Sequence, residues 1–176
     1  RRRYKKINKL KRTKGGFKMI KKVAILANGG DVAGFNAVIR GIVKTAENSD
    51  VECYGFIDGY NGLLKNEYVK LSTAEEGNAE GILPKGGSII GSSTNANVFN
   101  YKVVEEDGTV EYQDLSDKCV QNINDDGFDC VFTLGGDGTQ KSARDFSLKG
   151  VNVIGVPKTI DNDVACTDIT FGHNTA

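Results

Sequence analysis

Two strand-length, largely apolar runs, residues 23–27 and 129–134, each stop at a Gly-Gly pair that opens a helix-like period. After Gly29-Gly30, apolar residues recur at Val38, Ile39, Ile42, Val43 and Ala46, the spacing of one helix face. After Gly135-Gly136 a helix is expected over 140–148. A strand that is apolar at successive positions is buried on both faces, so helices must cover it from either side. Further strands are expected at 51–57 and 151–156, which makes the strand–turn–helix–strand spacing a βαβ unit. The predicted fold class is α/β, with a doubly wound, mostly parallel, Rossmann-like sheet. A small β-hairpin insertion is expected near 101–112, where Glu105-Glu106-Asp107-Gly108 separates two β-forming stretches. Ser116 is expected to cap a helix running to Asn124, residues 58–62 to form a glycine-rich loop, and residues 86–93 a small-residue turn. Residues 71–81 show no decisive pattern.

Charge is zero overall, from 23 Lys and Arg against 23 Asp and Glu, but residues 1–18 hold ten of the basic residues and no acid. The remainder is therefore acidic. A basic head can bind nucleic acid or an anionic surface, but here a plainer origin is expected. Met19-Ile20-Lys21-Lys22 reads as a protein start, and codons for Lys14-Gly15-Gly16-Phe17-Lys18 could form a purine-rich ribosome-binding site before it. Residues 1–18 are thus expected to be a disordered or non-native leader, and no nucleic-acid partner is expected. Neither a membrane-length apolar run nor a secretory signal is present, so no membrane partner and a cytoplasmic location are expected. Cys53, Cys119, Cys130 and Cys166 lack CxxC spacing and are expected to be reduced thiols.

The polar residues that follow the predicted strands carry the chemistry. Gly29–Gly34 is neither a GxGxxG fingerprint nor a Walker A loop, yet its small residues let backbone N–H groups approach an anion at a helix N-terminus. Gly135-Gly136-Asp137-Gly138-Thr139 repeats the arrangement. Either could equally be a tight βα connection. Asp137, set among small residues, suits a magnesium ion bridging phosphates; it could instead cap the next helix. Pro157-Lys158-Thr159-Ile160-Asp161-Asn162-Asp163 holds too many polar groups to be core and is expected outside the carboxyl end of its strand. One of Asp161 and Asp163 could take a proton while the other orients metal or water, with Thr159 on the acceptor; a structural carboxylate–turn network is the alternative. His173 and Arg40 carry no catalytic expectation, Arg40 being a solvated charge or an effector or subunit contact.

Gly29–Arg40, Asp58-Gly59-Tyr60, Gly86-Gly87-Ser88, Gly135–Thr139 and Pro157–Asp163, continued by Thr167-Asp168 and Thr170-Phe171-Gly172, resemble the N-terminal half of 6-phosphofructokinase. The resemblance covers residues 19–176. A lone GGDGT is shared with NAD and lipid kinases; joined to the 157–163 block it is specific. The resemblance implies phosphoryl transfer from ATP to the 1-hydroxyl of fructose 6-phosphate. It places Gly30, Gly136, Gly138 and Thr139 at the nucleotide, and Asp137 on magnesium. Asp161 becomes the general base, Thr159 a sugar contact, and Asp163 a support for both metal and base.

Gly138 and Lys158 are the implied donor-selectivity positions. Gly138 leaves room for ATP, whereas Lys158 resembles the pyrophosphate-using branch; a long-chain ATP-using branch combines the two, and ATP is the expected donor. Thr94-Asn95 stand where the family often has an Arg-aromatic pair. The resemblance also implies a homo-oligomer when full length. Most sugar-phosphate contacts would come from beyond residue 176, so 19–176 is expected to be a truncated nucleotide-binding part, inactive by itself. Two other readings stay open: a pyrophosphate-dependent enzyme, and a non-catalytic regulatory or assembly subunit, against which the three intact carboxylates speak.

Overall fold

A computed structural model describes residues 19–94 and 97–176; the expected leader, residues 1–18, and Asn95 lie outside the described residues. The elements in order are β1 (Lys22–Ala27), α1 (Phe35–Glu47), β2 (Glu52–Phe56), α2 (Tyr60–Lys65), β3 (Tyr68–Leu71), β4 (Tyr101–Val104), β5 (Val110–Gln113), α3 (Ser116–Asp125), β6 (Cys130–Gly135), α4 (Asp137–Leu148), β7 (Val153–Thr159) and β8 (Phe171–Gly172). The main sheet has the order β3-β2-β1-β6-β7-β8. Its neighbours are parallel except β2 and β3.

β1 shows why the apolar runs had to be central. Its side chains alternate between faces: Val23, Ile25 and Ala27 join the core under α1, whereas Ala24 and Leu26 join the core under α2, α3 and α4. Ile39, Val43 and Ala46 supply the buried stripe of α1. On the other face Tyr60, Leu63, Cys119, Ile123 and Phe146 meet Phe56 and Phe128. The predicted α/β architecture and the hairpin, β4 with β5, are both present. All four cysteines are free thiols, and burial pushes Cys53 and Cys119 up to about 12. Among the described residues no helix is long and apolar enough to cross a membrane.

Several elements depart from the sequence expectations. The glycine-rich stretch 58–62 is not a loop throughout: Gly59, at φ 63°, turns the chain and α2 begins at Tyr60. Gly62 sits inside α2 because a Cβ there would collide with the Ile57 carbonyl oxygen and lie 2.9 Å from that of Glu67. Gly62→Ala is expected to destabilise the fold by about 2 kcal/mol through overpacking against rigid backbone, read as a lower urea midpoint at unchanged m-value. Ser116 does not cap α3: it is the first helical residue, and Asp114 Oδ1 accepts from its N–H (2.9 Å) and its hydroxyl (2.5 Å). The 71–81 stretch is irregular beyond β3 and is tied to α1 by Glu47, which accepts from Ser72 and Thr73. Strand β7 runs three residues further than expected, through Thr159.

Candidate active site

β1 and β6 are neighbours in parallel register, Leu26 with Thr133 and Ala27 with Leu134. From β1 the sheet continues to β2 on one side, and from β6 to β7 on the other. Their connections therefore diverge and leave a crevice outside the carboxyl ends, the position where open α/β sheets bind ligands. Two glycine turns meet there. Asn28 donates its N–H to Leu134 O (2.9 Å). A Cβ on Gly135 would strike Asn28 O and lie 2.8 Å from Thr139 Cβ, so only glycine lets the turns touch.

The resulting cleft has a volume of about 270 Å³ and is lined by residues that include Asn28, Gly29, Tyr60, Gly136, Gly138 and Thr139. Gly136 is the N-cap of α4 and offers no side-chain cap, which leaves the first-turn N–H groups of Asp137, Gly138 and Thr139 as donors. Among the described residues none accepts from the Gly30 N–H. Helix α1 likewise starts without a side-chain cap or a first-turn acid. Two positive helix ends thus flank the crevice. The cleft is open at Gly138, where an added Cβ would meet nothing within 4 Å. Gly30 is set against the lip: a Cβ on it would lie 3.0 Å from Thr94 Cγ2.

Asp137 stands at the exposed start of α4, in an ion pair of 2.6 Å with Lys141 one turn on. Among the described residues no three His, Cys, Asp or Glu side chains gather around one point. That donor set suits magnesium, which is commonly held by one or two carboxylates plus waters and substrate phosphates.

The 157–163 block lies beside this cleft. Gly135 pairs with Pro157, and a Cβ on Gly136 would lie 3.4 Å from Lys158 O. The expectation that the whole block lies outside the sheet is corrected: Lys158 and Thr159 are strand residues, paired with Phe171 and Gly172 of β8, and both are buried. The two-residue β8, thirteen positions on, supplies the partner. Irregular chain begins at Ile160.

Beyond the strand the loop is pinned. Thr159 Oγ1 donates to Asp163 Oδ1 (2.9 Å) and accepts from the Asp161 N–H (3.2 Å). Asn162, at φ 54°, accepts through Oδ1 from the Thr170 N–H (3.1 Å). His173 Nδ1 is 2.7 Å from Ile160 O. Asp163 is therefore held by a hydroxyl, whereas Asp161 is exposed and its carboxylate accepts no hydrogen bond from the described residues. Thr170 and His173 were not singled out as supports from sequence; recurring polar residues around the short β8 were the available signal.

Lys158 is 3% exposed, with Nζ 5.4 Å from the Phe35 ring centroid. Burial lowers its pKa, against the opposing pull of the Asp31 and Asp161 charges. No carboxylate among the described residues pairs with it directly. Burying that charge costs stability, so Lys158→Met is expected to raise the unfolding free energy at pH 7 by about 1 kcal/mol, measured by urea titration. The folded protein gives up the lysine proton before the unfolded chain does. The gap between the two proteins therefore closes as pH rises from the lowered pKa toward 10.5.

The family described as phosphofructokinase matches residues 22–176. The chain belongs to the phosphofructokinase family. It is 52% identical over 158 residues to the ATP-dependent 6-phosphofructokinase 2 of Clostridium perfringens, covering 89% of this chain and 42% of that protein. It is 41% identical over 157 residues to the ATP-dependent 6-phosphofructokinase 3 of Streptomyces coelicolor, covering 88% and 41%. Among solved structures, Pichia pastoris phosphofructokinase in the T-state matches with a TM-score of 0.73 at 27% identity, over 92% of this chain and 17% of that one. A pyrophosphate-dependent phosphofructokinase from Marinobacter aquaeolei shares the fold, with a TM-score of 0.65 at 24% identity over 88% and 37%. The chain spans about two-fifths of the length of these curated phosphofructokinase relatives.

Proposed function

We propose that the full-length protein is a 6-phosphofructokinase that moves the terminal phosphoryl group of ATP to the 1-hydroxyl of fructose 6-phosphate, giving fructose 1,6-bisphosphate. The observation that carries this reading is the juxtaposition of an uncapped, open α4 N-terminus with a free carboxylate on a pinned loop at the next strand end. The N–H groups of Gly30, Gly138 and Thr139 bind the donor phosphates, and Gly136 lets the chain pass close to them. Asp137 would hold magnesium, which when bound neutralises phosphate charge. Asp161 takes the proton of the attacking hydroxyl as its bond to the terminal phosphorus forms and the bond from that phosphorus to the β-phosphate oxygen breaks, releasing ADP. Thr159 fixes Asp163 and the Asp161 main chain in one hydrogen-bonded unit, so the backbone that carries the base is in place before substrate arrives. Phosphoryl transfer relies chiefly on such positioning and on charge stabilisation.

Gly138 supports ATP over pyrophosphate, because nothing fills the space beside it. Lys158 favours a second reading, with pyrophosphate as donor, because its buried cation stands near Asp161. The protein acts in the cytoplasm, as a homo-oligomer, on a small sugar phosphate. Steady-state formation of fructose 1,6-bisphosphate by the full-length protein, with ATP and pyrophosphate compared at saturating magnesium, tests the proposal. Turnover with ATP is expected to dominate; turnover confined to pyrophosphate selects the second reading. Absence of both, with an effect on a partner's kinetics, selects a regulatory subunit.

A further inference from the structure

Asn36 lies in the first turn of α1, is 2% exposed, and directs its whole amide onto a distant segment. Its Nδ2 donates to Lys85 O (3.0 Å) and Gly86 O (2.9 Å), and its Oδ1 accepts from the Ile89 N–H (2.8 Å). A first-turn asparagine that served only its own helix would bond to that helix. This one clamps residues 85–89, the start of a strap that crosses the carboxyl ends of β1 and β2. The strap is fixed again at Ile90, whose carbonyl accepts from the Asp58 N–H (2.9 Å). At Ser93 the hydroxyl accepts from Asn61 Nδ2 (3.2 Å).

The far end of the strap grips the first glycine turn. Gly29 donates its N–H to Ser93 O (2.9 Å) and accepts at its carbonyl from the Ser92 hydroxyl. Both polar groups of Gly29 are consumed, while the Gly30 N–H has no acceptor among the described residues. The strap thus determines which amide of the turn is left to face a ligand. It also delivers Thr94 to the cleft wall against Gly30.

We propose that Asn36 is a positioning residue for the phosphoryl donor: by clamping the strap at 85–89 it fixes the Gly29–Gly30 turn on which the donor's phosphates are bound. The inference rests on the donor reading of the cleft given above. Asn36 touches no reacting group, so its effect is selective for the donor. In Asn36→Ala of the full-length protein, the Gly29 amide, which does not contact Asn36, is expected to exchange its hydrogen about tenfold faster while the Ile25 amide in the core does not change. The dissociation constant of Mg·ADP rises about tenfold, and the KM for fructose 6-phosphate stays within about twofold. Ser92→Ala, which removes only the strap's hydroxyl contact with Gly29, moves the same two readouts in the same direction by less, and judges the inference if Asn36→Ala does not fold. Unchanged Gly29 exchange in either folded variant overturns it, as does a parallel loss of affinity for both substrates. If the wild-type protein binds no Mg·ADP, the donor reading fails, and the Gly29 exchange still decides whether Asn36 holds the turn.

Discussion

Asp161→Asn in the full-length protein is expected to lower kcat for fructose 6-phosphate phosphorylation by about 10³-fold, the usual range for losing a positioned general base. The substitution keeps the shape of the side chain and removes its capacity to hold a proton. Its structural cost is small, because the Asp161 carboxylate is exposed and accepts no hydrogen bond from the described residues; the loop contact runs through its main-chain N–H to Thr159. Stability should therefore stay within about 0.5 kcal/mol of wild type, and the KM for the sugar within a few-fold. Asp163→Asn is a control of opposite character. It replaces the acceptor of the Thr159 hydroxyl, so it disturbs the loop while leaving the base in place, and its loss of kcat should be smaller. Steady-state rates beside urea melts of both variants separate the two roles. Equal losses of kcat, or a melt that falls with Asp161→Asn, would contradict the assignment of the proton to Asp161.

The second large effect is expected from Gly138→Asp. An added Cβ at Gly138 meets nothing within 4 Å, and an acid in the first turn of α4 complements the helix dipole. The variant should thus fold at least as well as wild type. Its carboxylate would nevertheless stand in the cleft among the N–H groups assigned to the phosphates, and like charges held together cost several kcal/mol. Utilisation of ATP, as kcat/KM, is expected to fall about 10²-fold. Pyrophosphate, if used at all, should lose less, because it needs no room for a nucleoside beyond the phosphates. An ATP efficiency within threefold of wild type would remove the donor from this cleft.

The parts of this fold that sequence reveals are those whose burial is symmetrical. β1 and β6 are covered on both faces, so each reads as a largely apolar run, and the glycines at or just past their ends mark where the two turns touch. β4 and β5 were legible through the Asp107-Gly108 turn. β3 was not, because an antiparallel edge strand of four residues, with Val69 exposed, carries too little pattern to separate from loop. Lys158 misled for a related reason. Its polarity argued for solvent, yet strand pairing with Phe171 depends on a neighbour thirteen residues away that no local period announces. Ser116 begins α3 instead of capping it: Leu115 holds the N-cap position with no side-chain cap, and the Asp114 carboxylate accepts from Ser116, a choice between two capping-type residues that only geometry makes. At the site, the glycines and carboxylates stood out by composition, whereas their supports did not. Asn36, Thr170 and His173 act through hydrogen bonds to chain outside their own turn or strand, and a lone polar residue in a helix or short strand gives no sign of its partner.

The most direct test of the central claim is a structure of the full-length protein with magnesium, a non-hydrolysable ATP analogue and fructose 6-phosphate. Phosphate oxygens are expected about 3 Å from the N–H groups of Gly138 and Thr139, and the Asp161 carboxylate within about 3 Å of the sugar's 1-hydroxyl. Phosphates bound away from the Gly29 and Gly136 turns, or an Asp161 that faces solvent while another group reaches the hydroxyl, would contradict that claim.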